Sequence, residues 1–271
     1  MENILSDLDS SSLVSAIKSN LNGFFKHLQK SSVAQTKTEG NEFYWTTPVA
    51  HPWFNGVISD GTSTNEMSEI IDRTFAFFNV HNIPSFTWWL NPELDLDEWS
   101  NHLVPRGFSL VDSPPGMAID LAKLPPLPHQ QATIEIVQDD EKLSEWTETF
   151  AVGYELPKSI ARPFYNLFKS IGTGLPFRHY LFRLDGKPVS TSTLYLGAGV
   201  AGIYNVATLP EARGKGIGSL MTLAPLHEAR DLGYRAGILQ SSDMGFSVYQ
   251  KLGFEKLCNV THFYWQSNPT E

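Results

Sequence analysis

The sequence predicts an α/β fold in which short strands alternate with amphipathic helices. Beyond residue 132, the alternating stretch "TIEIVQ" predicts a strand, and two segments with apolar residues about 3.6 positions apart predict helices. A meander of strands follows over residues 178–208, with turns at Asp185-Gly186 and Gly197-Ala198-Gly199. A shorter series of strands and helices precedes residue 125, so we expect two related α/β halves.

The order of elements is similar in the two halves. The first half has predicted strands at residues 54–59, 85–90 and 116–121, and predicted helices at 63–80 and 95–104. In the second half, a helix begins near Ile217 and is followed by a strand at 236–242, a helix at 243–252 and a strand at 261–265. Both halves contain a helix followed by a Gly-Phe pair and a strand, which indicates a divergent internal repeat.

A proline-rich segment separates the two halves. The stretch "KLPPLPHQQ", residues 123–131, contains three prolines, which remove backbone donors and favour an extended spacer. We therefore expect a first domain over residues 1–125, a linker over 126–131 and a second domain over 132–271. The amphipathic stretch "LVSAIKSNLNGFFKHL" is expected to form an N-terminal helix packed on the first domain.

The composition narrows the class of protein. An apolar content of 41% and a charged content of 18% are typical of a folded, soluble chain. The single cysteine, Cys258, excludes an internal disulfide framework and favours a reducing compartment, so we expect a cytoplasmic protein. The sequence has neither a signal-peptide h-region nor an apolar run of about 18 residues, so no membrane association is expected.

Charge and histidine spacing argue against two kinds of partner. A net charge of −9 is unlike the basic face of a nucleic-acid binder, although it would attract a cationic substrate. The eight histidines show no pair at the spacing of zinc ligands, so no metal is expected.

Two glycine-rich segments, within residues 197–218, are candidates for an anion-binding loop. The first, Gly197 to Gly202, fits the dinucleotide pattern G-x-G-x-x-G, which requires a helix after the glycines. The β-branched and aromatic residues of "IYNVAT" follow instead, and they predict a strand. The first segment is therefore interpreted as a hairpin turn.

The second segment, Arg213 to Gly218, has the context that an anion site needs. A strand precedes it and a helix begins within it, and the N-terminus of a helix presents unpaired N–H groups and a partial positive charge. Glycine at alternate positions allows close backbone approach, and Arg213 and Lys215 add positive charge. The first half offers only residues 60–65 at the matching place, with the single glycine Gly61.

The second segment and two other stretches resemble the GNAT superfamily of acyl-CoA N-acyltransferases. The superfamily signature (Q/R)-x-x-G-x-(G/A) matches Arg213-x-x-Gly216-x-Gly218. The stretch "DGKPVSTSTLYL" resembles the second hairpin of the family, and "FSVYQKLGFEKL" resembles its late helix. The resemblance covers about residues 132–266. It implies a GNAT fold, with a mixed, mostly antiparallel central sheet and helices on both faces, preceded by a partial, degenerate GNAT-like domain.

The resemblance also implies a cofactor, acetyl-CoA as co-substrate, and the residues that hold it. The pyrophosphate would bind residues 213–218, and the pantetheine arm would enter a gap beside the preceding strand. Tyr249 occupies the position of the family's general acid, four residues before Gly253. The residues implied for cofactor binding are Val206, Ala207, Thr208, Arg213, Gly214, Lys215, Gly216, Ile217, Gly218, Ser242 and Gly245.

The sequence departs from the family pattern at two positions and does not identify a general base. Pro225 interrupts the helix after the loop, where it should remove a hydrogen bond and kink the helix, and Ser242 replaces a common asparagine. The strand before the loop carries no carboxylate. The candidates for the base are Tyr154, Glu155, Tyr204 and a chain of water molecules.

The resemblance predicts an acetyl-CoA-dependent N-acetyltransferase that acts by direct transfer in a ternary complex. The acceptor would be the primary amine of a small molecule, an amino acid or a peptide, and the protein would be a monomer or a homodimer. Two alternatives remain open, a non-catalytic acyl-CoA sensor and an enzyme for a different acyl group. A nucleotide-dependent kinase is not expected, because the P-loop pattern G-x-x-x-x-G-K-[ST] is absent.

Overall fold

The computed structural model describes residues 4–49, 51–61, 66–127 and 133–267. Four residues of the predicted linker, 128–131, and most of the first half's loop, 62–65, lie outside the described residues. The chain forms two compact units. The larger unit contains the residues up to Phe24 together with Pro115–Leu257, and the smaller unit contains Phe25–Pro114 together with the residues from Cys258 onward.

The described residues form thirteen strands and seven α-helices. The strands are β1 (Gln35–Glu39), β2 (Glu42–Thr46), β3 (Gly56–Ser59), β4 (Ser85–Leu90), β5 (Ser109–Asp112), β6 (Pro115–Asp120), β7 (Thr133–Ile136), β8 (Phe177–Leu184), β9 (Lys187–Gly197), β10 (Val200–Thr208), β11 (Ala236–Gln240), β12 (Glu255–Asn259) and β13 (His262–Gln266). The helices are α1 (Ser10–Lys26), α2 (Met67–Val80), α3 (Leu96–Leu103), α4 (Asp140–Gly153), α5 (Ala161–Ile171), α6 (Ile217–Asp231) and α7 (Asp243–Leu252).

The units correct the predicted domain boundaries, because each sheet includes a strand from the other half of the chain. Strand β6, predicted to end the first domain, pairs antiparallel with β11 in the larger unit. Strand β13, predicted to end the second domain, pairs antiparallel with β4 and β5 in the smaller unit. The sequence prediction assigned both strands to their chain neighbours, since consecutive elements are usually adjacent in space.

The smaller unit is built on a six-stranded sheet in the order β1-β2-β3-β4-β13-β5. Strands β3 and β4 are parallel, and their pairing extends from Gly56↔Thr87 to Ser59↔Leu90. Helix α2 buries the apolar stripe predicted for it, including Ile70 and Ile71. Phe86 and Trp88 of β4 lie in this core and are fully buried.

The larger unit is built on a seven-stranded sheet in the order β12-β6-β11-β10-β9-β8-β7. Strands β10 and β11 are parallel, whereas β9–β10, β8–β9, β7–β8 and β6–β11 are antiparallel. Because side chains alternate along a strand, the sheet has two buried faces. One face packs on α6 through Leu194, Ile203 and Leu220. The other face packs on α4, where the ring centroids of Trp146 and His179 are 4.6 Å apart.

The first part of α1 belongs to the larger unit, which corrects the prediction that this helix packs on the first domain. Asn20 is fully buried and donates from Nδ2 to the Gly197 carbonyl at 2.7 Å. Its Oδ1 accepts a hydrogen bond from the Tyr204 hydroxyl at 2.7 Å, and Phe24 stacks on the Tyr204 ring at 4.2 Å. A buried asparagine is invisible to an apolar-periodicity analysis, so the partner of this helix could not be read from its pattern.

No helix among the described residues combines the length and the apolar character needed to cross a bilayer.

Replacing Asn20 with alanine should destabilise the protein by about 1–3 kcal/mol, because the Tyr204 hydroxyl and the Gly197 carbonyl would lose their buried partner. Chemical denaturation followed by circular dichroism measures the change. Ser19→Ala, at an exposed neighbouring position, is the control and should change stability by less than about 0.5 kcal/mol. Equal stabilities of the two variants would contradict the assignment.

Candidate active site

Strands β10 and β11 of the larger unit separate towards their C-terminal ends. Their parallel pairing covers only Ala201↔Gly237, Gly202↔Ile238 and Ile203↔Leu239. Strand β10 then continues to Thr208. Residues 204–208 therefore have a strand neighbour on the β9 side but none on the β11 side. This gap is the place where an extended ligand could pair with backbone.

A β-bulge lies in β10 at the start of the gap. The register with β9 runs through Tyr204↔Thr193 and resumes at Ala207↔Thr191, so one extra residue is inserted in β10. Asn205 adopts the left-handed conformation within the bulge, with a φ of 53°. The carbonyl oxygen of Asn205 accepts a hydrogen bond from Thr191 Oγ1 at 2.9 Å.

The predicted anion loop follows β10 directly and leads into α6. Gly214 and Gly216 have φ angles of 76° and 75°, which favour glycine, and a Cβ at either position would meet no atom within 4 Å. Gly216 is the N-cap of α6 and offers no side-chain cap, so the first N–H groups of the helix, beginning at Ile217, are not capped from within. The side chain of Lys215 is exposed beside them. These features fit an anion held by backbone N–H groups.

The Arg213 side chain is directed to α4 rather than to the helix N-terminus. Its guanidinium donates to the Thr208 carbonyl at 3.1 Å and to the Gly153 carbonyl at 2.9 Å, and it pairs with the Glu155 carboxylate at 3.1 Å. Helix α4 comes close to β10 here, because a Cβ on Gly153 would lie 2.8 Å from the Ala207 Cβ. The charge expected to contact an anion is therefore used to fasten the loop to α4.

The predicted pantetheine strand keeps some of its hydrogen-bonding capacity. The Ala207 carbonyl accepts from Ser190 Oγ at 2.5 Å, and the Thr208 carbonyl accepts from Arg213. The Thr208 carbonyl oxygen has two lone pairs and can accept a second hydrogen bond, whereas Ala207 is paired with Thr191 on the β9 side. Val206 packs against the core that α6 covers.

The first glycine segment is a hairpin turn, as predicted. It connects β9 to β10, with Ala198 and Gly199 both at positive φ. The Cβ that a residue at position 202 would carry meets Asn20 Oδ1 at 2.2 Å, so glycine is needed there for the approach of α1. The segment offers no helix N-terminus for an anion.

Tyr249 lies on α7 against the same core as Val206. Burial raises the pKa of its hydroxyl to about 12, and the neighbouring Thr222 opposes that shift. Gly245, one turn earlier, is in contact with the ring, since a Cβ there would lie 2.7 Å from Tyr249 Cε2. The absence of a side chain at Gly245 therefore leaves room for the Tyr249 ring, a role that the sequence did not indicate.

The two departures from the family pattern have local explanations. Ser242 is the N-cap of α7, and its Oγ accepts a hydrogen bond from the Gly245 N–H at 3.3 Å. Helix α6 continues through Pro225 as one helix from Ile217 to Asp231. The predicted interruption at Pro225 is therefore wrong: the proline removes one donor, and the buried contacts of its neighbours Leu223 and Leu226 hold the helix together.

The three side chains proposed as a general base are placed differently. The Glu155 carboxylate is paired with Arg213, and the Tyr204 hydroxyl donates to Asn20. Tyr154 is 39% exposed; desolvation, and then the neighbouring Tyr249, raise the pKa of its hydroxyl. Of the three, Tyr154 is thus the one whose pKa Tyr249 affects.

The sequence analysis missed a buried polar cluster on the α4 side of the sheet. His179 is fully buried between the rings of Trp146 and Phe168, at centroid distances of 4.6 and 4.7 Å. Its Nδ1 lies 2.8 Å from Thr193 Oγ1, which also accepts from Asn205 Nδ2. The run "STST" inside a predicted strand was the available signal, since four consecutive polar residues break the expected apolar alternation.

The smaller unit does not reproduce the gap. Its parallel strands β3 and β4 remain paired through their last residues, Ser59↔Leu90, and the Asn91 N–H extends the ladder to the Ser59 carbonyl at 3.3 Å. Its described residues therefore offer no place where a ligand could enter between these strands. Among the described residues of both units, no group of three His, Cys, Asp or Glu side chains is placed to hold a metal ion.

Sequence comparisons match parts of the chain to known acetyltransferases. Residues 176–256 match the family described as acetyltransferase (GNAT) domain. Over 57 residues the chain is 42% identical to a mycothiol acetyltransferase of Rhodococcus jostii (strain RHA1), and the match covers 20% of this chain and 19% of that protein. The chain thus matches about a fifth of the length of this curated relative.

Solved structures share the fold over nearly the whole chain. A GCN5-related N-acetyltransferase from Kribbella flavida aligns with a TM-score of 0.69 at 19% identity, over 98% of each chain. A tandem GNAT protein from the clavulanic acid biosynthesis pathway aligns with a TM-score of 0.62 at 14% identity, over 98% of this chain and 97% of that one. These alignments confirm the predicted fold class and its tandem arrangement.

The stability of the protein should fall as the pH is lowered from 7 towards 4, in part because of His179. Burial lowers the pKa of His179 from its ordinary 6.5 to about 3. Below pH 6.5, His179 is therefore protonated in the unfolded chain but stays neutral in the folded chain. The contribution of neutral His179 to the free energy of unfolding is fully present above pH 6.5. Below that pH it decreases by up to about 1.4 kcal/mol per pH unit.

Denaturant unfolding of the wild type and of His179→Asn between pH 7 and pH 4 measures this term. The variant should show a shallower pH dependence, whereas His102→Asn, at an exposed position, should follow the wild type. Parallel curves for wild type and His179→Asn would show that His179 is not buried as a neutral side chain.

Proposed function

We propose that the chain is an acetyl-CoA-dependent N-acetyltransferase, because residues 176–256 match the family described as acetyltransferase (GNAT) domain. Its acceptor is the primary amine of a small molecule, an amino acid or a peptide, and its place of action is the cytoplasm. The observation that supports this most directly is the gap that opens after Ile203↔Leu239, with an uncapped helix N-terminus following the same strand.

The residues around the gap fit coenzyme A. Backbone N–H groups from Gly214 to Gly218 bind the pyrophosphate, where the open space above Gly214 and Gly216 leaves room for it and Lys215 adds positive charge. Residues 206–208 pair with the pantetheine arm along the side of β10 that β11 leaves open. Ser242 and Gly245, at the start of α7, line the path of the cofactor.

Acetyl-CoA supplies an activated acetyl thioester, and the chain supplies position and polarity. An amine with a pKa of about 10.4 must lose a proton before it attacks, at a cost of about 4–5 kcal/mol at pH 7. Holding the two reactants together can lower the barrier by roughly 7–11 kcal/mol, which exceeds that cost. A backbone N–H of residues 206–208 stabilises the negative charge that develops on the carbonyl oxygen.

Tyr249 is the proposed proton donor to the departing thiolate. With a pKa of about 12, its phenol stays protonated at neutral pH, as an acid must. Thr222 lies beside the phenol oxygen, and Gly245 and Phe254 hold the ring, with the Phe254 centroid at 5.8 Å. The ring is therefore fixed in direction by contacts on several sides.

A non-catalytic acyl-CoA sensor is the second candidate. The observation in its favour is the absence of a carboxylate from β10, together with the pairing of Glu155 to Arg213. A chain with these features can bind the cofactor without a group that deprotonates an amine. An enzyme that uses another acyl-CoA is a variant of the leading proposal, and a comparison of acetyl-, succinyl- and longer-chain CoA distinguishes it.

Replacing Gly216 with glutamate should abolish the binding of coenzyme A. The substitution forces a side chain onto a φ of 75° and places a negative charge where the pyrophosphate binds. Isothermal titration calorimetry with coenzyme A measures the loss. Gly186→Glu is the matched control, because Gly186 has a φ of 76° and equally open surroundings in the β8–β9 turn. Wild-type affinity in Gly216→Glu would refute the assigned loop.

Replacing Tyr249 with phenylalanine should lower kcat by about 10²-fold or more, with little change in coenzyme A affinity, because only the proton donor is removed. The measurement is the release of free thiol from acetyl-CoA over a panel of primary amines. The control is Tyr264→Phe in the smaller unit, which removes an exposed hydroxyl that donates to Gln266 Oε1 at 2.8 Å and should retain full activity.

The same panel distinguishes the two candidate functions. Wild-type protein that binds acetyl-CoA but releases no thiol with any amine would support the sensor. Full activity in Tyr249→Phe would support the enzyme proposal but would show that Tyr249 is not its proton donor.

A further inference from the structure

Buried polar side chains on β8 and β9 hold Asn205 at two points. Thr191, Thr193 and His179 are all fully buried, although each carries a polar group. Thr191 Oγ1 donates to the Asn205 carbonyl at 2.9 Å, and Asn205 Nδ2 donates to Thr193 Oγ1 at 3.1 Å. Both the main chain and the side chain of Asn205 are therefore fixed by neighbours on β9. We call Thr191, Thr193 and His179 the Asn205 clamp.

The clamp holds β10 at Asn205, where the backbone conformation is intrinsically unfavourable. Asn205 has a φ of 53°, a left-handed conformation that side chains other than glycine disfavour. It lies in the bulge, where the extra residue leaves the ladder without a regular partner. Two hydrogen bonds from buried side chains stabilise this conformation against the regular strand that the same residues could form.

The bulge decides which way the residues of the gap face. Side chains alternate along a strand, so one extra residue reverses the facing of every residue beyond it. With the bulge, Ala207 pairs with Thr191 and faces α4, while Val206 packs against the core that α6 covers. Without it, these two residues would exchange faces, and the backbone of residues 206–208 would present different groups to the gap.

His179 completes the clamp by contacting the Thr193 hydroxyl. Thr193 Oγ1 accepts a hydrogen bond from Asn205 Nδ2 and lies within hydrogen-bond distance of His179 Nδ1, at 2.8 Å. The other ring nitrogen, Nε2, is buried and has no hydrogen-bond partner among the described residues. A buried polar atom without a partner costs stability, so its retention calls for a functional reason.

We propose that Thr191, Thr193 and His179 are positioning residues for acetyl transfer, which act by holding the Asn205 bulge. The proposal rests on the proposed function, because the residues that the bulge orients are those assigned to the pantetheine arm. None of the three touches the reacting atoms. They set the direction of the β10 backbone before acetyl-CoA arrives, so their loss should weaken the use of acetyl-CoA more than the use of the amine.

The test uses three variants of the full chain at neighbouring positions of β9. Thr193→Val removes the hydroxyl and keeps the shape, Thr193→Ser restores the hydroxyl, and Ser192→Ala is the control. Ser192 is equally buried, but its Oγ has no hydrogen-bond partner among the described residues, and its side chain points to the opposite face. Chemical denaturation establishes that all three variants are folded under the assay conditions.

Thr193→Val should lower kcat/KM for acetyl-CoA about tenfold, which corresponds to the loss of one buried hydrogen bond. The KM for acetyl-CoA should rise while the KM for the amine stays constant, a division that general loss of stability does not produce. Thr193→Ser should recover most of the activity, and Ser192→Ala should match the wild type. Wild-type kinetics in folded Thr193→Val would overturn the positioning role.

Amide hydrogen exchange gives a readout that does not depend on turnover. In Thr193→Val the amides of residues 204–208 should exchange faster, whereas those of β11 should not change. A wild-type chain that binds no coenzyme A would reject the proposed function and, with it, the role of the clamp in acetyl transfer. Unchanged exchange in Thr193→Val would reject the clamp itself, even in a wild-type chain that is fully active.

Discussion

The separation of β10 from β11 after Ile203 is the constraint on which the rest of the proposed site depends. Two parallel strands that diverge leave backbone N–H and C=O groups without a ladder, and such groups inside a protein need other partners. Here a side chain supplies part of the replacement, because Arg213 donates to the Thr208 carbonyl. The remaining capacity of the strand edge is what makes it suitable for an extended ligand with amide groups of its own.

Polar side chains, which are usually unfavourable in a protein core, support the gap between the two strands. The guanidinium of Arg213 bonds to the end of β10, to the end of α4 and to Glu155 just after it, and so holds the loop in place. Anion binding is therefore left to backbone N–H groups and Lys215. The Asn205 clamp supports the same strand from the β9 side. The gap thus lies between Arg213 at one end and the Asn205 clamp at the other.

Local signals in the sequence were sufficient for the parts of the site that depend on neighbouring residues. The start of α6 at Ile217, the extent of α7 over residues 243–252 and the hairpin at Gly197 all follow from glycine placement and apolar spacing. The direction of Arg213, the burial of Asn20 and the clamp on Asn205 depend on residues far away in the chain, which a periodicity pattern does not register. The exchange of β6 and β13 was missed for the same reason, since each strand has the same alternation in either sheet.

The placement of β6 bears on what the larger unit needs in order to form its site. Strand β6 pairs with β11 along its whole length, from Ala236↔Asp120 to Gln240↔Gly116, and β11 is one wall of the gap. A chain that began at residue 132, where the second domain was predicted to start, would lack this strand and also Asn20. Strand β11 would then have an open edge on one side and only three paired residues on the other. The resemblance to the GNAT family over about residues 132–266 therefore describes the chemistry of the site, whereas the sheet that supports it extends beyond those residues to β6.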